Sequence, residues 1–168
     1  PRHREGGLCL REREHPLRSR KVRIFPSAEQ KSTLRRWIGT TRWVYNQCVA
    51  AVKEKRVSAK VSSLRDMLKA FESTLPWMKE TPFDVRDAAV HDFDKARKAV
   101  DAKNKKRPSK EKALWQCDFK FRSRKDPQQS IEIRARDWNR KVGMYSELFS
   151  PTKLAASEKL PDKMPCTF

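Results

Sequence analysis

The chain has 168 residues, enough for one domain or for one domain with an insertion, and 37% hydrophobic against 36% charged residues leaves it a modest core. Forty Lys and Arg against 21 Asp and Glu give a net charge of +19. A charge that large repels itself unless a polyanion is present, and nucleic acid is the commonest one. No apolar run approaches the roughly 18 residues of a membrane-spanning helix, which excludes that class and points away from a membrane partner.

Residues 1–20 are charged and turn-prone and lack the apolar region of a signal peptide, so they read as a flexible basic arm of a protein that is not secreted. Lys21 to Phe25 alternates charge with apolar bulk, the pattern of a half-buried strand that Pro26 stops. Ser27 and Gln30 form a capping box, which starts a helix burying Leu34, Trp37 and Ile38. Gly39 fits the left-handed residue that ends a helix. Thr40 or Thr41 then caps a second one, with Val44, Tyr45, Cys48, Val49 and Val52 as its stripe. Two helices around one glycine predict a helix-turn-helix, though helical hairpins with no DNA role look the same.

A third helix is expected from Ser63, capped with the help of Asp66 and burying Leu64, Met67, Leu68, Phe71 and Leu75 until Pro76 ends it. Thr81-Pro82 supplies a capping hydroxyl and a proline for the first turn of a fourth. That helix presents Val85, Ala89, Phe93, Ala96 and Val100 on one face, with Arg86, Asp94, Lys98 and Asp101 as a solvated mixed-sign face opposite. Asn104 to Lys112 is a basic linker. Beyond it, Phe119-Lys120-Phe121-Arg122 and Ser130 to Ala135 alternate around turn chemistry at Arg124 to Gln128, predicting an antiparallel ribbon. A third strand is expected near Val142 to Tyr145, its entry packed by Trp138, and the tail from Ser150 shows little periodicity.

A lone first strand needs a partner for its backbone groups, and the later ribbon is the simplest one. The predicted fold is therefore α+β. A helical insertion of four or five helices, with a helix-turn-helix-like start, sits inside a small antiparallel β-barrel or sheet. The expected boundaries are an arm at 1–20, a first strand at 21–26, helices at 27–116, further strands at 117–150 and a tail at 151–168.

Cys9, Cys48, Cys117 and Cys166 are scattered without CxxC spacing, which argues for a reducing compartment and against a disulfide framework or zinc site. His3, His15 and His91 show no ligating spacing and read as exposed bystanders. Asp84, Asp87, Asp92 and Asp94 crowd one helix as cap and surface charges rather than as a metal-binding set, so no catalytic residue is assigned. Binding is better supported. Between Arg97 and Lys125, twelve Lys and Arg stand against Asp101, Glu111 and Asp118, a net of +9. Lys120, Arg122 and Arg124 share one predicted strand face suited to tracking phosphates. Lys125 extends that run, and Gln129 and Ser130, with Gln128, add neutral donors and acceptors. Lys105-Lys106-Arg107 adds cations and looks like a nuclear import signal. Arg42 and Asn46, one helical turn apart, project together toward a phosphate or base edge, while Tyr45 reads as packing.

Phe25-Pro26, Glu29-Gln30, Leu34, Gly39, Arg42 and Val44-Tyr45-Asn46 resemble the opening of the TnpB-type proteins of bacterial transposons and their eukaryotic and viral relatives, the Fanzor proteins. Thr81-Pro82 with Asp84-Val85-Arg86-Asp87 resembles the Fanzor form of a following helix. Phe119 to Ser123 and Gln129-Ser130-Ile131 look like the family's basic ribbon, and Ser157 to Pro161 like the stretch before its nuclease. The resemblance implies an RNA-guided DNA endonuclease built as a wedge barrel with a helical recognition insertion, followed by a RuvC-like domain. By that likeness, the helices around Tyr45 and Arg86 face target-adjacent DNA and the guide duplex, and Lys120 to Ser130 holds guide RNA. The family's catalytic acids and zinc-binding CxxC have no counterpart in these 168 residues, so the chain is expected to bind guide-type RNA and DNA without cleaving. Mg and Zn would belong to the missing nuclease part, with no cofactor in this chain. The chain then reads as a fragment, nuclear if eukaryotic or viral and otherwise cytoplasmic. The alternatives are a stand-alone helix-turn-helix DNA-binding regulator or an inactive transposon relic.

Overall fold

Ser27 starts the longest helix among the described residues. Its hydroxyl accepts from the Gln30 N–H at 3.2 Å, and the Gln30 side chain accepts from the Ser27 N–H at 2.9 Å, the predicted capping box. The computed structural model describes residues 21–106, 118–134, 138–139, 143–144, 154–160 and 166–167. Ile24–Phe25 is strand β1, and helix α1 spans Ala28–Lys53.

The break expected at Gly39 does not occur: α1 runs through it. Thr40 and Thr41, expected to cap a second helix, donate instead to the carbonyls of Arg36 (3.1 Å) and Trp37 (2.8 Å), a bond that leaves the helical ladder intact. Trp37 and Val44, on either side of the glycine, are both buried. Burying each is worth roughly 1.5–3 kcal/mol, more than the roughly 0.5–1 kcal/mol that a mid-helix glycine costs. Packing overrides the local stop signal.

Helix α2, Val61–Thr74, starts two residues before Ser63 with Lys60 at its cap and no side-chain cap bond, so Asp66 does not play the expected role. Its apolar stripe is as predicted, with Leu64 and Leu68 buried and Met67, Phe71 and Leu75 packed beside them. Pro76–Glu80 forms a 3-10 turn that docks on α1, where Trp37 Nε1 donates to the Glu80 carbonyl at 3.2 Å. Helix α3, Phe83–Lys106, follows. The Thr81 hydroxyl donates to Thr40 Oγ1 at 2.9 Å inside the α1 contact. Three α-helices and one 3-10 turn thus stand among the described residues, where four or five helices were expected.

Two apolar clusters hold these elements. In one, Val44, Tyr45, Cys48 and Val49 of α1 pack on Leu64 and Leu68 of α2, on Met78, and on Ala89, Val90 and Phe93 of α3. In the other, Leu34, Trp37 and Val85 pack on Ile131, Ile133 and Leu154. The face of α3 expected in solvent is partly interior: Arg86, Asp87 and Asp94 are all buried, although Lys98 is exposed. Partners from other elements make this possible. Asp87 accepts two bonds from Arg65 of α2 (2.7 and 2.8 Å) and one from Arg134 (2.7 Å), while Arg86 pairs with Glu72. Burial alone would raise the Asp87 carboxyl, but the two guanidinium groups and nearby His91 together hold it below the usual range. His91 belongs to this cluster, 2.9 Å from Arg65, and is no bystander.

The remaining strands are β2 (Glu132–Ile133), β3 (Trp138–Asn139), β4 (Gly143–Met144), β5 (Ala155–Ala156) and β6 (Cys166–Thr167). They form three antiparallel pairs, β1 with β5, β2 with β6 and β3 with β4, rather than one sheet among the described residues. The α+β class is as expected. The partner of β1 is not, because Ile24 faces Ala156, in the tail that showed no periodicity. The predicted ribbon also fails to pair. Phe119 to Arg122 belongs to no strand, with Phe119 packed on the helical cluster, while Ile131 and Ile133 fill the second cluster. The strand expected at Val142 to Tyr145 is present as β4, with Trp138 in its partner strand.

Candidate nucleic-acid interface

The segment from Asp118 to Ser130 lies against α1, and Asn46 fastens it there. The Asn46 amide donates to the Arg122 carbonyl (3.1 Å) and accepts from the Arg122 N–H (2.8 Å), replacing the strand partner that this residue lacks. The Arg122 guanidinium lies 4.0 Å from the Tyr45 ring centre and donates to Asp92 at 3.1 Å. Phe119 meets Phe93 edge-on at 5.3 Å. Tyr45 is a packing residue, as its pattern predicted. Its burial pushes the phenol up against the opposing pull of Arg122.

Downstream, a turn folds back on itself. Asp126 accepts from the Gln128 N–H at 2.9 Å, and the Gln129 amide donates to the carbonyls of Arg124 and Asp126, both at 2.9 Å. The Gln129 oxygen accepts from Arg42 Nη1 at 2.5 Å, a second tie to α1. Between helix and turn lies a cavity of about 240 Å³, with Ile38, Thr41 and Arg42 on the α1 side. Arg122, Asp126 and the run Gln128 to Ser130 form the other wall.

The structure therefore brings four of the predicted site residues to one place: Arg42, Arg122, Gln129 and Ser130. Lys120, Arg124 and Lys125 are exposed on the same segment and pair with no described acid. Lys120 and Arg122 do not share an outward face, since Arg122 turns in to Tyr45 and Asp92. Two assignments need correction. Both polar ends of Asn46 are engaged by Arg122, so it grips backbone rather than a base edge. Arg86 is 4% exposed and bonded to the Thr81 carbonyl and Glu72, so it offers no surface to DNA. Lys105 and Lys106 are exposed at the end of α3, and Arg107 lies outside the described residues. Thr41 and Asp126 were missed. Asp126 carried a turn signal that drew attention to the backbone and away from its carboxylate.

Phe121, 55% exposed, stands one residue from the cavity with the Lys53 ammonium 5.5 Å from its ring centre. An exposed ring beside a cation has the chemistry on which an unpaired base can stack.

Residues 17–59 match a family model described as a helix-turn-helix domain, HTH_OrfB_IS605. No curated protein matches the chain. The matched region contains β1, all of α1 and both of the α1 residues singled out above, Arg42 and Asn46. The chain thus carries a segment similar to the N-terminal helix-turn-helix of IS605 OrfB/TnpB transposases, a domain type that suggests interaction with DNA.

Proposed function

We propose that the chain is a nucleic-acid-binding portion of a TnpB/Fanzor-like protein, engaging DNA through the region of α1 and guide-type RNA along residues 118–130. One observation carries this reading. The basic segment is tied onto the helix of the transposase-like region through Asn46 and Arg42, so a single surface joins the two. The net charge of +19 and Lys120, Arg124 and Lys125, which pair with no acid among the described residues, support a polyanionic partner.

Residues 1–168 do not themselves cleave DNA in this reading. The acids on α3 are held by cations: Asp84 and Asp87 by Arg134, Asp92 by Arg122, and Asp94 by Arg97 and Lys98. They act as structural ion pairs rather than as a metal-holding set, and Mg and Zn would serve a nuclease part elsewhere. The exposed Lys105 and Lys106 at the end of α3 fit a nuclear address.

The test is fluorescence anisotropy with nucleic-acid-free protein, titrating duplex DNA and a structured RNA across a salt series. Charge reversal at Lys120, Arg124 and Lys125 should weaken RNA binding and flatten its salt slope by about 0.7–0.9 for each phosphate no longer neutralised. An unchanged slope refutes the placement of RNA on this segment. The match over 17–59 equally favours a stand-alone DNA-binding regulator. Tight duplex binding without RNA, insensitive to that charge reversal, would establish the regulator instead.

A further inference from the structure

The cavity between α1 and the 122–130 turn holds opposite charges that do not meet. Arg42 and Asp126 both line it, yet no ion pair joins them. Arg42 uses Nη1 on Gln129, and the Asp126 carboxylate accepts only from the Gln128 N–H among the described residues. The Asp126 carboxylate is exposed and meets no cation among the described residues, which leaves acceptors open along one edge of the cavity. The opposite edge offers a guanidinium and demands acceptors. At about 240 Å³ the space is below the roughly 300–1,000 Å³ of pockets for drug-sized ligands, a size for one flat base.

We propose that this cavity holds one unpaired guanine of a single strand, read by Asp126 on its N1–H and 2-amino donors and by Arg42 on its O6 and N7 acceptors. Guanine alone among the common bases presents two adjacent donors to a carboxylate and two acceptors to a guanidinium. The guanine must be unpaired, because a partner cytosine would occupy the N1–H and amino edge. Ile38 supplies an apolar wall for the base, Phe121 a ring for its neighbour, and the exposed Lys120, Arg124 and Lys125 lie where flanking phosphates run. The inference rests on the nucleic-acid reading above and adds base preference to it.

The experiment measures anisotropy of the full chain with labelled ten-residue oligouridine and oligothymidine strands bearing one central guanine, adenine or hypoxanthine. Guanine should bind about tenfold tighter than adenine in both strand types, since only the base is read. Hypoxanthine, lacking the 2-amino group, should recover part of that ratio. Asp126→Asn keeps an oxygen for the Gln128 N–H, so the turn survives, and it should reduce the guanine-to-adenine ratio below about twofold while the homopolymers still bind. Equal binding of guanine and adenine strands, a preference confined to one sugar, or a ratio untouched by Asp126→Asn overturns the proposal while leaving nucleic-acid binding intact. Failure of every strand to bind at low salt overturns the broader reading together with it.

Discussion

Asn46 separates two roles that the sequence alone leaves equal, a contact to nucleic acid and a clamp on the chain itself. Asn46→Ala removes the amide that bonds the Arg122 carbonyl at 3.1 Å and the Arg122 N–H at 2.8 Å. Each such bond contributes roughly 0.5–1.5 kcal/mol net, and leaving a buried backbone group unpaired costs more. Arg122 is half-buried, so water reaches the orphaned groups in part. The expected loss is about 2 kcal/mol, which for a chain of this length lowers Tm by about 4–8 °C. Urea unfolding gives the stability change, and hydrogen exchange at the Arg122 amide reports the clamp directly, with faster exchange expected in the variant. Because Arg122 leads into the cavity wall, oligonucleotide affinity should fall as well, but only alongside the structural change. A variant that keeps its stability within about 0.5 kcal/mol and its Arg122 protection, yet binds nucleic acid more weakly, would refute the clamp and return Asn46 to direct contact.

Gly39→Ala should stabilise the chain by about 0.5–1 kcal/mol in urea unfolding, because the glycine lies inside α1 and an added methyl group meets only Arg42 Nη2 at 4.0 Å. A loss of stability would put the glycine back at a helix end. The depressed Asp87 carboxyl predicts acid sensitivity. Its stabilisation is complete above the ordinary carboxylate value of about 4 and is lost as pH falls through the lower folded value, since the unfolded chain takes up the proton first. Asp94, held down by Lys98 and Arg97, acts in the same window. Asp87→Asn should flatten the stability profile below about pH 4 and cost about 2–3 kcal/mol at neutral pH, below the range for fully buried pairs because Arg65 and Arg134 are partly exposed. A pH series of urea midpoints with the parental slope would exclude Asp87 as the source.

Local signals were legible where one residue's chemistry meets only its own neighbours. The Ser27–Gln30 box, the stripe on α2 and the stripe on α3 from Val85 through Ala89 and Phe93 to Ala96 needed nothing from distant chain, and they stand as predicted, although Val100 joins neither cluster. Signals that compete with packing were misread. Gly39 and the two threonines spell a helix end in isolation. Trp37 and Val44 have to reach two separate apolar clusters from one continuous helix, and that requirement is written in their partners on α3, Val85 in the Trp37 cluster and Val90 in the Val44 cluster. The same holds for Arg86 and Asp87, whose solvated pattern on α3 hides partners 14 to 47 residues away. Two-residue strands such as β5 leave no periodicity to read at all.

The alternation at Phe119 to Arg122 predicts a strand but forms none, and the reason bears on the site. An alternating segment needs an apolar surface for one side and hydrogen-bond partners for its backbone. Phe119 finds the surface between α1 and α3, and a side chain, Asn46, supplies the pairing that a second strand would have given. This leaves Lys120, Arg124 and Lys125 without an acid partner among the described residues, whereas a ribbon would have paired the segment's edge. Under the proposed function, a basic chain laid on a helix of the matched region would serve a single strand better than a closed sheet would. The residues that hold it down, Asn46 and Arg42, are the two that the sequence offered as readers of DNA. In the proposed function their role moves from touching the nucleic acid to building the surface it would meet, and Arg42 also lines the cavity.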